Sequence, residues 1–205
     1  MSCGHDHEKE EMNGMKPENS GERSPEVKEA AGTSPLRPTG AAGKRIFLVR
    51  HGETSWNREG RFQGQIDVPL NDIGLRQADA VAEALKDVPF DRIISSNLSR
   101  ALRTALPLAS RMRMGMGVET DDDLQEIGHG LWEGRTAAEV ETMYPGALAL
   151  WHTRPETVVM PEGESLADVQ RRAWPALLRI AEGKGETGAV FTHDAVLKVL
   201  LMKAL

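Results

Sequence analysis

From residue 46 onward, short apolar runs alternate with stretches of helical periodicity. Ile46-Phe47-Leu48-Val49 is apolar at four successive positions, the pattern of a strand covered on both faces. Ala78, Val81, Ala82 and Leu85 then fall at i, i+3, i+4 and i+7, one stripe of a helix. Arg92-Ile93-Ile94-Ser95 reads as a second strand. Leu98, Ala101, Leu102, Ala105, Leu108 and Ala109 repeat the helical spacing, with Pro107 expected to kink it. A weak strand is expected near Val118, and two short helices after Arg135, divided near Pro145-Gly146. Leu166, Val169, Ala173 and Leu177 mark another helix, with Pro175 inside it. Gly188 to Thr192 reads as a strand and Ala195 to Leu205 as a final helix. Strands alternating with helices predict an α/β three-layer sandwich: a largely parallel central sheet with helices on both faces.

Residues 1–43 differ in kind. They hold no Phe, Trp or Tyr, but four prolines, six glycines and thirteen charged residues. Such a stretch cannot bury enough apolar surface to offset the entropy of ordering it, so it reads as a disordered tail preceding a folded domain at 44–205. Its Cys3, His5 and His7 form a short tract of metal-ligand types, more simply read as an accidental cluster. Across the 205 residues the net charge is −6, which argues against a nucleic-acid binder and against an anionic membrane as partner. A single cysteine excludes an internal disulfide framework. No apolar run is long enough to span a bilayer, and no secretory signal is evident. By exclusion, the expected location is the cytoplasm.

The chemistry lies at the strand ends. The first strand runs into Arg50-His51-Gly52-Glu53, the last into Thr192-His193-Asp194, and the second into Ser95-Ser96-Asn97-Leu98-Ser99-Arg100. In a parallel sheet these ends open on one edge, where ligands of α/β proteins bind. His51, His193, Arg50 and Arg100 would then gather into an anion site. Arginine suits phosphate because its planar fork meets two oxygens at once. Gly40 to Arg45 superficially suggests a phosphate loop, but its spacing is wrong and no Ser or Thr follows the lysine. Ser165 lacks the flanking glycine of a nucleophile elbow, since Ala167 stands there. Glu164 and Ser165 are expected to start a helix, His129 and His152 to be incidental or rim residues, and Trp132 and Trp151 to pack a wall or lid.

Seven ordered blocks carry a resemblance: LVRHGETSWN (48–57), RFQG (61–64), D-x-PLN-x-x-G (67–74), SSNLSRALRTA (95–105), LQEIGHGLWEG (124–134), PEGESLADVQRR (161–172) and FTHDAVLKVL (191–200). Together the sequence resembles the histidine phosphatase superfamily, in its phosphoglycerate mutase-like branch. The resemblance implies that His51 carries the phosphoryl group as phosphohistidine. It implies that Arg50, Arg100 and His193 hold phosphate oxygens, with Asn57 as a further phosphate contact, and that Glu126 protonates the leaving oxygen. It implies no metal and no cofactor, and a small phosphorylated metabolite as substrate.

Asp194 departs from the branch, which has glycine after the second histidine. A distant branch of acid phosphatases and phytases places its proton donor there, so Asp194 is an alternative acid. Its other reading is an N-cap of the final helix. Only 66 residues separate Glu126 from His193, whereas the resemblance implies a longer segment in mutases, so a phosphatase is favoured over a bisphosphoglycerate-dependent phosphoglycerate mutase. A non-catalytic phosphate-ligand binder is the third reading. Relatives continue past the last helix into further strands, so the resemblance also implies a trimmed or truncated C-terminal end at Leu205. Oligomeric state is not legible.

Overall fold

Apolar alternation along each strand decides which helix covers which face. In the computed structural model the described residues are 43–112 and 116–205. The expected tail, apart from Gly43, and the Cys3, His5, His7 tract lie outside the described residues. Strands β1 (Arg45–Arg50), β2 (Arg92–Ser95), β3 (Val118–Thr120) and β4 (Thr187–Thr192) form one sheet in the order β1-β4-β2-β3, with every neighbouring pair parallel. Side chains along a strand point alternately to opposite faces. Phe47, Val49, Ile93, Ala189 and Phe191 accordingly pack on one side with Ala82 of α2 (Asp72–Leu85) and Ala105 and Leu108 of α3 (Ser99–Arg111). Ile46, Leu48, Ile94 and Val190 pack on the other with Ala176 and Ile180 of α6 (Leu166–Glu182). The expected sandwich is therefore present, with helices on both faces.

The outer elements follow the same logic. Helix α7 (Asp194–Ala204) lays Val196, Val199 and Leu200 against Val169 and Ala173 of α6. Helices α4 (Ala137–Met143) and α5 (Ala147–Thr153) close a satellite cluster around Trp132, Val140, Val158 and Met160, with Trp151 at its margin. Trp132 is thus a buried core residue and Trp151 a wall. Helices α3 and α6 run on through Pro107 and Pro175.

Three local expectations need correction. A five-residue helix, α1 (Ser55–Glu59), follows the first strand end. It was not expected because its capping box joins Thr54 to Asn57 rather than to a Glu or Gln. Asp194 is not the N-cap of α7. That position belongs to His193, in extended backbone, and Asp194 is the first helical residue. Its carboxylate turns outward to Lys198, one turn on, at 2.6 Å, and towards Arg50 at 3.6 Å. Glu164 does not start α6 either. Ser165 caps that helix in a capping box with Asp168, and Glu164 is engaged elsewhere. Among the described residues no helix is long and apolar enough to cross a membrane.

Candidate active site

The register of the sheet builds the site. Arg50 pairs with Thr192, and Ser95 with Phe191, so β1, β4 and β2 end level. The next residue of each strand continues the ladder briefly: His51 N–H donates to Thr192 O at 3.0 Å, and Ser96 N–H to Phe191 O at 2.9 Å. This brings the His51 and His193 rings to a centroid separation of 5.1 Å.

The His51 ring is held through one nitrogen. Its Nδ1 lies 2.7 Å from its neighbour's carbonyl, Gly52 O. A carbonyl only accepts, so Nδ1 carries the proton and Nε2 the lone pair. Burial lowers the His51 pKa to about 4, with Arg100 and Arg50 adding to the effect. Near neutral pH the ring is therefore an uncharged base with its lone pair on Nε2. Gly52 is pinned in turn, since its N–H donates to Thr104 Oγ1 at 3.0 Å. A Cβ on Gly52 would come within 2.6 Å of Gly74 O. Gly74 is the third residue of helix α2, whose cap is Asn71, with Asn71 Oδ1 accepting from Gly74 N at 2.8 Å. The two glycines let the loop after β1 lie directly on the first turn of α2.

Arg100, in the first turn of α3, is wholly buried. It donates through Nη1 to Ile66 O at 2.9 Å and through Nη2 to Gly64 O at 2.7 Å. These carbonyls belong to the loop carrying the RFQG block. Burial lowers its pKa, and the carboxylates of Glu126, Asp67 and Glu133 oppose that. Among the described residues, Arg100 Nε and His193 Nδ1 are buried polar atoms with no hydrogen-bond partner. His193 Nε2 lies 2.9 Å from Ser96 Oγ. Burial, Arg100 and His51 together hold the His193 pKa well below that of a free histidine.

Glu126 sits across from these groups, buried, on a segment (126–129) without secondary structure of its own. Its Oε1 accepts from Ile127 N at 3.0 Å and Ala195 N at 3.2 Å. Burial raises its pKa, although those two N–H donors and Arg100 pull the other way.

Arg50, His51, Arg100, Glu126 and Asp194 all line one cavity of about 670 Å³. Phe62, Ile127, Trp151, Leu166 and Val199 supply its apolar wall. His193 has no exposed surface and is not among the residues lining this cavity, although its ring packs beside that of His51. Asn57 faces a neighbouring cavity of about 470 Å³ that shares Arg50 and His51. Its Oδ1 is taken up in the α1 cap, accepting from Thr54 N at 3.0 Å. His152 lies at the rim of the larger cavity as expected. His129 does not. It is buried against Phe62, ring centroids 5.0 Å apart, and burial lowers its pKa to about 4. Its place beside Glu126 in sequence was a usable signal, because both lie in one short block.

Sequence reasoning also missed Arg172 and Glu164. Arg172 Nε and Nη2 meet Glu164 Oε1 and Oε2 at 2.8 Å each. The same guanidinium donates to the carbonyls of Asp123, Gln125 and Glu126 at 2.8, 2.7 and 2.9 Å. Both residues fall in the PEGESLADVQRR block, but nothing local ties them to residues 123–126.

Fold and site define an α/β enzyme with a cation-flanked histidine at the carboxyl edge of its sheet. Residues 46–205 match the histidine phosphatase superfamily (branch 1), and the chain belongs to that family as a phosphatase. It is 38% identical over 157 residues to a glucosyl-3-phosphoglycerate phosphatase of Mycolicibacterium vanbaalenii, covering 76% of this chain and 68% of the relative. It is 34% identical to phosphoserine phosphatase 1 of Hydrogenobacter thermophilus, covering 76% and 74%. Among solved structures, Bacillus stearothermophilus YhfR superposes with a TM-score of 0.73 at 37% identity, covering 77% of this chain and 78% of that one. A mycobacterial glucosyl-3-phosphoglycerate phosphatase complexed with VO3 gives 0.71 at 35%, covering 80% and 81%.

Proposed function

We propose that the protein is a metal-independent phosphomonoesterase that hydrolyses a small phosphorylated metabolite through a phosphohistidine on His51. The observation that carries this reading is the Nδ1 contact of His51 with Gly52 O at 2.7 Å. It leaves Nε2 as an uncharged nucleophile at the sheet edge. In the first step Nε2 forms a bond to phosphorus as the ester P–O bond breaks. Arg50, Arg100 and His193 stabilise the phosphoryl oxygens, where transition-state charge collects. Ser96 Oγ accepts from Leu98 N at 3.3 Å, so its hydroxyl proton is available to His193 Nε2. That assignment places the His193 proton on Nδ1, which like Arg100 Nε has no hydrogen-bond partner among the described residues and is free to donate to a phosphoryl oxygen. Asn57, with its oxygen used in the cap, offers its amide nitrogen.

Glu126 supplies the proton. Two backbone N–H groups already occupy Oε1, so the acidic proton resides on Oε2. It passes to the leaving oxygen, releasing an alcohol. In the second step Glu126 takes a proton from water as the water oxygen bonds to phosphorus. The P–N bond breaks, inorganic phosphate leaves, and both residues return to their starting states. The cationic and imidazole groups fill the role that a metal ion plays elsewhere. Hydrolysis rather than transfer within a bisphosphate accords with relatives named as phosphatases.

The test is phosphorus NMR on the protein mixed with 3-phosphoglycerate, a trace of 2,3-bisphosphoglycerate and chelator, beside 4-nitrophenyl phosphate and a His51→Ala control. Inorganic phosphate is expected from at least one ester in chelator, and from none with His51→Ala. Faster formation of 2-phosphoglycerate than of phosphate would make the protein a mutase. Activity lost in chelator and restored by a divalent ion would overturn the metal-free account.

A further inference from the structure

Glu126 stands on a segment that no helix or strand holds, yet proton donation to a leaving oxygen tolerates little displacement. Gln65 Nε2 reaches Glu126 O at 3.3 Å, and Glu164 N donates to Gly128 O at 2.8 Å, but the densest set of contacts to that segment comes from one guanidinium. Arg172 projects from the second turn of α6, whose first turn is locked by the capping box of Ser165 and Asp168. A guanidinium has five N–H donors, and all five are used. Two meet Glu164 side by side, two go to Asp123 O and Gln125 O, and one goes to Glu126 O, every contact between 2.7 and 2.9 Å. Glu164 closes the bracket from the other side, its Oε2 accepting from Gly128 N at 2.8 Å. The backbone is thus gripped at Glu126 and again two residues later. Both side chains are largely buried, at 17% and 23% exposure, so the pair is not a solvent-screened surface bridge.

We propose that Arg172, with Glu164 as its anchor, is a positioning residue for the proton donor, fixing Glu126 where it meets the leaving oxygen. The proposal rests on the reading of Glu126 as general acid. A planar fork that reaches three carbonyls while paired with a carboxylate has no equivalent in lysine, which has a point charge and three donors on a flexible stem. Lysine at 172 would keep the charge and lose the grip.

The leaving group provides a readout that a merely structural role does not move. A dinitrophenolate leaves without a proton, whereas an alkoxide must be protonated as it departs. The quantity to measure is the ratio of kcat/KM for benzyl phosphate to kcat/KM for 2,4-dinitrophenyl phosphate. Taken within one preparation, it is independent of the folded fraction. Glu126→Gln is expected to lower the ratio by about 10²- to 10⁴-fold, the usual worth of general acid catalysis. Arg172→Lys and the near-isosteric Glu164→Gln are expected to lower it by about ten- to a hundredfold, since misplacement of about 1 Å costs on that order.

If Glu126→Gln lowers the ratio while Arg172→Lys and Glu164→Gln leave it at the parent value, the acid stands and the positioning role is refuted. An equal loss on both substrates in Arg172→Lys and Glu164→Gln also refutes it, because that is the mark of general structural damage. An unchanged ratio in Glu126→Gln refutes the acid assignment, and the positioning role falls with it.

Discussion

Nδ1 of His51 is 2.7 Å from the carbonyl of Gly52, and this one contact decides which nitrogen of the ring can attack. It also sets the pH range in which attack is possible. Burial, then the neighbouring arginines, bring the His51 pKa to about 4. Protonation removes the Nε2 lone pair, so kcat/KM for dinitrophenyl phosphate should hold from neutrality downward and fall only as pH approaches about 4. For benzyl phosphate a second limb is expected on the alkaline side. Glu126 must be protonated for that ester, and burial raises its pKa above the ordinary carboxylate range. A pH-rate profile of each ester checks both limbs. An acid limb centred near 6.5, the value for a free histidine, would contradict the buried neutral ring.

Asp194 and Glu126 line the same cavity in different states of engagement. Asp194 is shared between Lys198 at 2.6 Å and Arg50 at 3.6 Å, whereas Glu126 is buried and bonded only to N–H donors. Asp194→Asn should therefore change kcat/KM for benzyl phosphate by less than about tenfold, and Glu126→Gln should lower it by about 10²- to 10⁴-fold. Steady-state kinetics on the two variants decides the matter. The opposite ranking would make Asp194 the acid.

Buried neutral histidines make the fold acid-sensitive. Burial lowers the His129 pKa to about 4 in the folded chain, against about 6.5 for a free histidine. Between those values the unfolded state binds more protons, so stability is full above about 6.5 and is lost as pH falls towards about 4. The stake for one such histidine is about 3 kcal/mol. Urea denaturation from pH 7 down to pH 4 should show this decline, and His129→Gln should flatten it. An unchanged slope in that variant would mean that His129 is not buried neutral.

Gly52 and Gly74 meet too closely for side chains. A Cβ on Gly74 would collide with Glu53 O, and one on Gly52 with Gly74 O. Gly74→Ala should cost about 1–3 kcal/mol through overpacking. It should also lower activity by moving the loop that holds His51. Denaturant midpoints and kcat/KM measured together test this, and a fully active, fully stable Gly74→Ala would show that the loop gives way without cost.

How much of this was legible in the sequence depends on how local each cause is. Runs such as Ile46 to Val49 declare a doubly covered strand because every residue in them must be apolar. Parallel order then puts Arg50, His51, Ser96 and His193 on one edge. The cap at Asn71 is local too, but the helical stripe from Ala78 to Leu85 alone did not reveal it. Other features depend on long-range partners. Glu164 leaves its expected helix start because Arg172 and Gly128 claim its carboxylate, and His129 is buried because Phe62 folds over it. Asp194 failed as a cap because His193 already occupies the extended position before the helix. Asn57 was assigned from resemblance alone, and its cap bond to Thr54 shows a structural duty that the motif does not reveal.

The central claim is the covalent intermediate on His51. The most direct measurement is rapid mixing with 2,4-dinitrophenyl phosphate, an alkaline quench that preserves phosphohistidine, and mass spectrometry of the peptide carrying residues 46–58. That peptide should gain the mass of one phosphoryl group within a single turnover and lose it as phosphate appears, and Glu126→Gln should prolong its life. Rapid turnover with no phosphorylated peptide at any time, or a phosphoryl group found on another residue, would contradict the account.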